Sequence, residues 1–569
     1  MAKNSVSMSQ KKYPKNHLKF FQRFWTVAQI YWCSDEKWRA ISSALILLVL
    51  LQVSTQLNVF SNTQQGNFIS ALAAKDAHRF WTSIGIFLGL QIILLPVGTC
   101  YSYVRFKLIL SWRCWLTNHF LGEYLSNRAF YELNNFQKEI DNPDQRISED
   151  IQGFTEVSFS IFLDIFNTCV QVIAFSGVLW GISPILMIFL VIYAVTCTLI
   201  AIGFFGKKIV QINFEQQKKE GNFRFGLVRL RENAESVAFY RGEAQETNLL
   251  KFLFNQVFKN LNYWILWQQI YFGSFIRAYE VLPPILPALV LAPKVISGEF
   301  EVGKIAEASG AFMALNRAMY LIIRRFENLT SLGAGIERLS EFYDFLQQPK
   351  REIKTGVTEY TTINTIEDNY LAIQNLTLYT PNYQRTLFRD ISAELQPGQG
   401  LLIKGTSGCG KSSLLRAIAG LWDSGTGTII RPKLEEILFL PQRPYMVLGT
   451  LRNQLIYPQL NVNMTDDELH QILQQVNLPN LVERCGGFEV ERDWADVLSL
   501  GEQQRIAFAR LLIAKPKYVI LDEATSALDI KNEENLYQHL LDTQTTFMSV
   551  GHRPTLFKYH QITLELTPP

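Results

Sequence analysis

The fold of the carboxy-terminal half is decided by one stretch, LLIKGTSGCGKSSLLRAIAGLW at residues 401–422. It contains a short apolar strand, then the pattern Gly-x-x-x-x-Gly-Lys-Ser from Gly405 to Ser412, then a helix. Glycines let backbone N–H groups approach phosphate oxygens, and the start of a helix adds a favourable dipole. Lys411 can reach the phosphate oxygens, and the hydroxyl of Ser412 can hold Mg²⁺. The stretch therefore predicts a nucleotide-phosphate site in an α/β domain.

A second motif for the same chemistry follows nearer the carboxy terminus. Residues 518–521 form an apolar strand that ends in Asp522 and Glu523. The first carboxylate can direct Mg²⁺, and the second can orient or deprotonate an attacking water. Two acids can also simply cap a buried strand, but the phosphate loop upstream favours the catalytic interpretation.

The amino-terminal half contains long segments that are almost uncharged. In the chain of 569 residues only 18% are charged, against roughly 25% in average soluble proteins. Residues 40–59 and 80–104 carry no charge, and residues 157–206 carry one and are broken by a turn in the middle. These runs are long enough to cross a bilayer core of about 30 Å as four helices. Two weaker spans are predicted near 274–292 and 305–323.

The distribution of basic residues predicts the orientation of these spans. Residues 207–259 are rich in Lys and Arg, whereas the short loop at 181–184 has neither. The positive-inside rule therefore puts the N-terminus, the two long loops and the C-terminus in the cytoplasm. Basic and aromatic residues alternate between Lys15 and Trp25. This alternation predicts an amphipathic helix on the cytoplasmic membrane surface, with a solvated basic tail as the alternative.

Charge and cysteine content exclude other classes. The formal net charge is +3, which is too small to argue for a nucleic-acid partner, and we expect none. Seven cysteines are scattered without a CxxC pair or Cys/His ligand spacing. They support neither a disulfide framework nor a zinc site.

Four further stretches resemble motifs of the ABC ATPases. LSLGEQQR at 498–505 resembles the signature motif, and LPQRPYM at 440–446 resembles the Q-loop. SALD at 526–529 resembles the D-loop, and SVGHRP places His552 where the family has its switch histidine. With the two motifs above, six motifs follow one another in the order of this family. The carboxy-terminal half is therefore identified as a member of it.

The resemblance implies ATP and Mg²⁺ as cofactors and gives each site residue a role. Lys411 neutralises phosphate charge, while Glu523 and His552 position the attacking water. Gln442 senses the γ-phosphate and the metal. The predicted catalytic residues are Lys411, Gln442, Glu523 and His552, the predicted metal ligands are Ser412, Gln442 and Asp522, and the predicted nucleotide-binding residues are Tyr379, Gly405, Thr406, Ser407, Gly408, Cys409, Gly410, Lys411, Ser412, Ser413, Ser499, Gly501 and Glu502.

The signature motif also implies a second copy of the chain. By the family resemblance, Ser499 and Gly501 contact the γ-phosphate bound to the other ATPase domain, so a homodimer is expected. Leu500 stands where the common motif has glycine, and Glu502 stands where it has glutamine. The leucine bears on how closely the phosphate is approached, and hence on the rate of hydrolysis. Tyr379 is similar to the aromatic residue that stacks on adenine, although a core tyrosine is the alternative.

Two loops of the membrane half narrow the resemblance. NPDQRI at 142–147 and NAESVAFYRGE at 233–243 resemble conserved loops of subfamily D half-transporters, which include peroxisomal acyl-CoA carriers and a lysosomal cobalamin carrier. FWTVAQIYWCSDEKWRA at 24–40 and the LSLGEQQRIAFAR form of the signature resemble bacterial BacA-like and YddA-like transporters. The resemblance implies that both loops are coupling helices seated on the ATPase domain.

The expected architecture is a multi-domain membrane protein. An all-α transmembrane domain of six helices with the exporter-type fold precedes an α/β P-loop ATPase domain. The predicted divisions are an amphipathic segment at 1–39, the transmembrane domain at 40–345, a linker at 346–365 and the ATPase domain at 366–569.

We expect a homodimeric half-transporter, driven by ATP hydrolysis, in a bacterial cytoplasmic (inner) membrane. Its solute is predicted to be large and hydrophilic, such as cobalamin or peptides. The alternatives are acyl-CoA or another lipid-like substrate, or an ATP-gated channel. The direction of transport is left open.

Span three carries a polar face. Asp164, Asn167, Thr168 and Gln171 have the spacing of one side of a helix. In span five, Arg277 and Glu280 can pair one turn apart, just before a run of prolines. These residues either tie the helices together or line a path for a polar solute.

Overall fold

The computed structural model describes residues 17–136, 140, 142–319, 321–347, 362–381, 383–459 and 462–567. The chain forms two compact units that divide near residue 351. The amino-terminal unit is helical, and the carboxy-terminal unit contains both strands and helices. The helices of the first unit are α1 His17–Trp32, α2 Lys37–Ala73, α3 Ala77–Leu125, α4 Ala129–Phe136, α5 Pro143–Gln145, α6 Ile151–Ile182, α7 Pro184–Ile200, α8 Lys207–Glu232, α9 Ala234–Tyr240, α10 Glu243–Trp264, α11 Gly273–Ile296, α12 Gly303–Met319 and α13 Leu321–Leu346.

Short π-helical turns join several of these helices into longer rods. They lie at Arg146–Asp150 before α6, at Ala201–Gly206 between α7 and α8, and at Ile265–Phe272 between α10 and α11. Within the described residues, five of the resulting rods are long and apolar enough to cross a membrane. They contain the first five predicted spans. The break between spans three and four is also confirmed, since α6 ends at Ile182 and α7 begins at Pro184.

The sixth predicted span corresponds to α12, which is not among those five candidates. It has only 17 residues and packs against α2, α6 and α11. Glu307 and Asn316 are both buried on it. An interior helix need not be apolar on every side, because its polar groups find partners on neighbouring helices.

The amino-terminal helix packs on protein along one face, which changes the prediction that it lies on the membrane surface. Tyr31 of α1 is buried and its ring stacks on Trp112 of α3, with the ring centroids 5.9 Å apart. Arg23 donates to Glu337 of α13. Phe21 and Trp25 remain exposed. Membrane contact therefore stays a prediction for these two side chains, and Lys15 lies outside the described residues.

Helices α2 and α12 are in backbone contact where they cross. The Gly303 amide donates to Ser70 Oγ at 3.0 Å, and the Asn62 side chain donates to the Glu307 carbonyl at 2.9 Å. A Cβ at Gly303 would lie 1.8 Å from the backbone oxygen of Gly66. This close crossing therefore requires glycine.

The carboxy-terminal unit has two sheets. One is four-stranded, with the order β1-β5-β2-β3, and the other is five-stranded and parallel, with the order β6-β7-β8-β4-β9. The strands are β1 Asn364–Glu367, β2 Leu371–Tyr379, β3 Thr386–Leu395, β4 Gly400–Gly405, β5 Gly425–Arg431, β6 Ile437–Leu440, β7 Tyr518–Asp522, β8 Thr546–Val550 and β9 Ile562–Leu566, and the helices are α14 Lys411–Ile418, α15 Leu451–Ile456, α16 Asp466–Gln475, α17 Leu481–Cys485, α18 Trp494–Val497, α19 Leu500–Ala514 and α20 Ile530–Asp542.

The parallel sheet explains why its strands are so apolar. The buried run Leu401–Ile403 of β4 and the wholly buried β8 lie at its centre. Helices α15 to α20 cover one face of the sheet, and α14 and the four-stranded sheet cover the other. The middle of the predicted linker, 348–361, lies outside the described residues. The exact domain boundaries stay predictions.

We expect Gly303→Ala to lower the free energy of unfolding of the membrane unit by about 1–3 kcal/mol, because the new methyl group meets backbone that cannot move aside. Thermal unfolding in detergent micelles measures this. Gly89→Ala on α3 is the matched control, because a Cβ there meets no heavy atom within 4 Å. Equal unfolding temperatures for the two variants would contradict the close helix crossing.

Candidate functional site

The phosphate loop lies between β4 and α14, as predicted. Gly410 has a φ of 105°, which side-chain-bearing residues rarely adopt. Lys411 is only 7% exposed, and its ammonium donates to the carbonyls of Gly405 at 2.8 Å and Thr406 at 3.1 Å. These two carbonyls hold the ammonium group of Lys411 against the loop that is predicted to bind phosphate.

The remaining predicted loop residues divide into two kinds. Thr406, Ser407 and Gly408 are exposed, so their backbone N–H groups are open to a ligand. Cys409 is buried, with its sulfur in the core below the loop. Cys409 can therefore contribute only through its backbone. Ser413 lies in the first turn of α14.

The predicted metal ligands Ser412 and Asp522 lie side by side. Ser412 Oγ donates to Asp522 Oδ1 at 3.2 Å, which brings the start of α14 to the end of β7. Burial raises the pKa of Asp522, while the hydrogen bond from Ser412 opposes that rise. A hydroxyl and a carboxylate are the hard oxygen donors that Mg²⁺ prefers, so the pair fits the metal expected from the sequence.

Three loops converge on Glu523. Gln442 Nε2 donates to Glu523 Oε2 at 3.0 Å, and His552 Nε2 lies 3.8 Å from Glu523 Oε1. Glu523 has a left-handed φ of 49°, and its amide donates to the carbonyl of Val550 on β8. Such strain persists only where surrounding structure enforces it, and it clusters at functional sites. Here Gln442 contacts the carboxylate of Glu523, and the catalytic role of Glu523 and the metal contact of Gln442 stay predictions.

The signature motif begins α19 with a capping box. Ser499 Oγ accepts from the Glu502 amide, and Glu502 Oε2 accepts from the Ser499 amide at 2.9 Å. Arg484 Nη1 donates to Glu502 Oε1 at 2.7 Å. Burial alone would raise the pKa of Glu502, but the bonds from Arg484 and Ser499 outweigh it and lower that pKa. Both oxygens of Glu502 are thus engaged, so it stabilises the helix start, which differs from the phosphate contact expected of it.

Gly501 lies against the D-loop of its own chain. A Cβ at this position would lie 2.9 Å from the carbonyl oxygen of Ala527. The second glycine of the signature is therefore required for packing within the ATPase unit, in addition to any contact with phosphate. Leu500 beside it is partly exposed.

Sequence reasoning missed Gln504, which connects three of the motifs. It is 3% exposed, and its amide nitrogen donates to the Gln442 carbonyl at 2.9 Å and to Ser526 Oγ at 3.2 Å. Its amide oxygen accepts from the Ala527 amide at 3.0 Å. The only signal in the sequence was its place in the signature motif, five residues after the serine.

Tyr379 lies at the end of β2 and is half-buried. Its ring is 5.7 Å from that of Tyr383, and its carbonyl accepts from Trp422 Nε1 at 2.8 Å. A ring at the edge of the sheet is placed to stack on a planar group. Its contact with adenine stays a prediction.

The polar face predicted on span three lines a cavity of about 490 Å³ among the membrane helices. The cavity lies between α2, α3, α6 and α12, and amide and hydroxyl side chains dominate its wall. The residues are Thr55, Asn58, Ser61, Asn62, Gln65, Phe87, Gln91, Asp164, Asn167, Thr168, Gln171, Phe175, Gly310, Ala314, Arg317 and Ala318.

Two hydrogen bonds order this wall. Gln171 donates to Asn167 Oδ1 at 3.2 Å, and Gln91 donates to Ser61 Oγ at 2.8 Å. Sequence reasoning missed the contribution of α2, because the predicted span ended at Val59. The signal was present, since polar residues recur at helical spacing on α2 from Thr55 to Gln65.

The predicted pair in span five is wrong. Among the described residues, Arg277 and Glu280 form no ion pair with each other, and both are exposed on α11. Neither lines the cavity. The buried residue between them is Tyr279, whose ring stacks on Tyr193 with centroids 5.1 Å apart and whose hydroxyl bonds to Asn316.

An apolar helical unit with a polar cavity, followed in the chain by a unit with a phosphate loop and two adjacent carboxylates, is the arrangement of a membrane-bound ATPase. Comparison with known families gives the class its name. Residues 28–295 match the family described as ABC transporter transmembrane region 2, and residues 388–526 match the family described as ABC transporter. The chain belongs to the ABC transporter family and has the half-transporter arrangement of one transmembrane region and one ATPase domain.

Relatives cover nearly the whole chain. An uncharacterized ABC transporter ATP-binding protein of Synechocystis is 47% identical, over 92% of this chain and 79% of its own. ABC transporter D family member 2, chloroplastic, of Arabidopsis thaliana is 36% identical, and the match covers 96% of this chain and 86% of the relative. The lysosomal cobalamin transporter ABCD4 of Homo sapiens is 33% identical, and the match covers 97% of this chain and 96% of the relative. The similarity to subfamily D expected from the loops is confirmed.

We expect Gln504→Leu to lower kcat for ATP hydrolysis by about tenfold or more with little change in KM, because small displacements of catalytic groups are costly. The leucine removes the bonds that hold the loops of Gln442 and Ala527. Steady-state phosphate release measures both constants. Gln538→Leu is the control, since Gln538 is an exposed residue of α20 that bonds to Asp542 within that helix. Equal kcat for the two variants would show that Gln504 is dispensable.

Proposed function

We propose that this ATP-driven transporter works as a homodimer that moves a large hydrophilic solute, such as cobalamin or a peptide, across a bacterial cytoplasmic (inner) membrane. The polar cavity between α2, α3, α6 and α12 is the observation that carries the choice of solute. The homology to a transporter named for cobalamin supports it.

The chemistry of the cavity wall favours hydrophilic solutes over lipids. Each Asn or Gln side chain has one acceptor oxygen and two N–H donors. The bonds within the wall satisfy part of this capacity, and an acyl chain would leave the rest unpaired at roughly 1–3 kcal/mol for each group. Asp164 and Arg317 carry opposite charges, so the wall does not select for one sign of charge.

The hydrolysis step follows from the residues around Glu523. Lys411 neutralises the phosphate oxygens, and Glu523, aligned by Gln442 and His552, orients and deprotonates the attacking water. Mg²⁺ would be held by Ser412 and Asp522, where its charge would offset the negative charge of the phosphates.

The contacts of Ser499 support the homodimer. Its amide and its hydroxyl both bond to Glu502 at the start of α19. The signature helix is fixed to its own chain through Gln504, which bonds to the Q-loop and the D-loop. The start of α19 is therefore a rigid element that presents the signature motif to a second, ATP-loaded chain.

The basic helix α8 supports the orientation. It carries most of the Lys and Arg residues between spans four and five, and we place it, the N-terminus and the ATPase unit in the cytoplasm. At the tip of the same loop, α9 exposes Phe239 by 77% and Tyr240 by 87%. Two exposed aromatic rings on a short helix are typical of a protein-docking surface, which supports the coupling role expected for this loop.

We expect Glu523→Gln to slow ATP hydrolysis by about 10²- to 10⁴-fold, because the amide cannot accept the proton of the attacking water. The variant still binds ATP and is trapped as a dimer, which light scattering in detergent with Mg²⁺ and ATP detects. Glu534→Gln is the control, because Glu534 pairs with Lys558 at the surface. Substantial Mg²⁺-dependent hydrolysis by the Glu523→Gln variant would count against the assignment.

We expect Asp164→Ala to reduce ATP-driven movement of solute in vesicles by about tenfold, because it removes the acid of the cavity wall. Labelled cobalamin, a hexapeptide and palmitoyl-CoA are compared in both directions of transport. Gln52→Ala is the control, because Gln52 lies on α2 but is exposed and outside the cavity. Unchanged transport in Asp164→Ala would reject the cavity as the solute path, and movement of palmitoyl-CoA alone would reject the hydrophilic solute.

A further inference from the structure

An ion pair on a buried carboxylate joins the first inner loop to the last helix of the membrane unit. Arg338 of α13 donates through Nε to Asp150 Oδ2 at 2.6 Å, and its Nη2 bonds to the other oxygen of the same carboxylate. Arg146 Nη1 in turn donates to the carbonyl of Arg338 at 2.5 Å. Arg146 and Asp150 are 2% and 7% exposed. We call these three residues the α13 junction.

This pair differs from the other ion pair that α13 makes nearby. Arg23 of α1 bonds to Glu337 at 2.8 Å, and both of these side chains are about a third exposed. Arg338 is also 43% exposed, but its partner Asp150 is only 7% exposed. Exposed pairs contribute little and are screened by salt. A bidentate arginine on a buried carboxylate is strong and fixes orientation as well as distance. The α13 junction therefore adds a directional polar contact to the apolar packing of Leu339 and Phe342 on this part of the core.

The junction residues lie on two chain segments that lead to different parts of the protein. Asp150 immediately precedes α6, and Asp164 on the cavity wall follows fourteen positions later, about 21 Å along a helix. On the other side, α13 is the last helix before the chain enters the ATPase unit. The junction thus connects a helix that lines the cavity to the helix that leads to the ATPase.

We propose that Asp150 and Arg338 are positioning residues that make α6 and α13 move as one body, so that ATP-driven movement of α13 changes the cavity. The proposal rests on the proposed transport function. Without the bidentate contact, only apolar packing joins α13 to α6, so ATP hydrolysis continues while less of the movement of α13 reaches the cavity wall.

The test follows the cavity directly and needs no solute. A reporter cysteine replaces Asn58 on the cavity wall, in a chain whose other reactive thiols are serine. Its rate of modification by a small water-soluble thiol reagent is measured in membrane vesicles, with and without ATP and vanadate. ATP hydrolysis is measured on the same vesicles. The native cysteines replaced are Cys33, Cys100, Cys114, Cys169 and Cys197.

We expect Arg338→Ala to keep ATP hydrolysis within about twofold while the nucleotide-dependent change in modification rate falls about tenfold, a coupling loss of ordinary allosteric size. The double variant Asp150→Arg with Arg338→Asp is expected to recover most of that change, because the ion pair is restored with its charges exchanged. A merely structural role would instead lower ATP hydrolysis and the unfolding temperature of Arg338→Ala together with the nucleotide-dependent change. Thermal unfolding checks that each variant is folded.

Arg79→Ala is the matched control. Arg79 makes an equally bidentate contact with Glu301, at 2.9 and 2.8 Å, but at the opposite end of α3 from the inner loop. It should leave the nucleotide-dependent change intact. A full change in folded Arg338→Ala, or failure of the folded charge swap to recover it, overturns the role of the junction. Absence of hydrolysis in the parent chain would instead overturn the proposed function.

Discussion

Every polar group in the membrane unit must find a partner away from lipid, and this constraint orders the rest of that unit. Its backbone is satisfied by long helices, and its polar side chains are gathered where helices meet. The Gly303 amide bonds to Ser70 where α2 crosses α12. The amides of Gln91 and Gln171 face one cavity, and Arg338 meets Asp150 at the inner loop. Exposed apolar side chains such as Ile92 and Leu95 cover much of the outer helix surface, and Arg277 and Glu280 on α11 are exceptions.

The ATPase unit assembles its polar site by a different route. Its parallel strands bring several chain segments to one edge of the sheet, where Asp522 and Glu523 follow β7 and the phosphate loop follows β4. Local hydrogen bonds then align the loops. Gln504 bonds to the Q-loop and the D-loop together, so three segments distant in the sequence move as one. Catalytic geometry of this kind depends on preorganised partners.

The sequence predicted features that are local in the chain. The phosphate loop, the carboxylates after β7 and the turn before Pro184 depend on neighbouring residues, and each lies where the pattern put it. The polar face from Asp164 to Gln171 was also predicted correctly, because helical periodicity fixes which residues share a side. The pairing of Arg277 with Glu280 failed, since spacing permits a contact without requiring one.

The sequence by itself therefore determined the two kinds of unit, the order of the motifs and the place of the phosphate loop between β4 and α14. Only the tertiary structure decided that α2 completes the cavity, that Glu502 caps α19 and binds Arg484, and that Arg338 joins α13 to the inner loop. The physical reason is the same in each case. These contacts join residues distant in the chain, and their energy depends on burial and on partners that a local pattern does not contain.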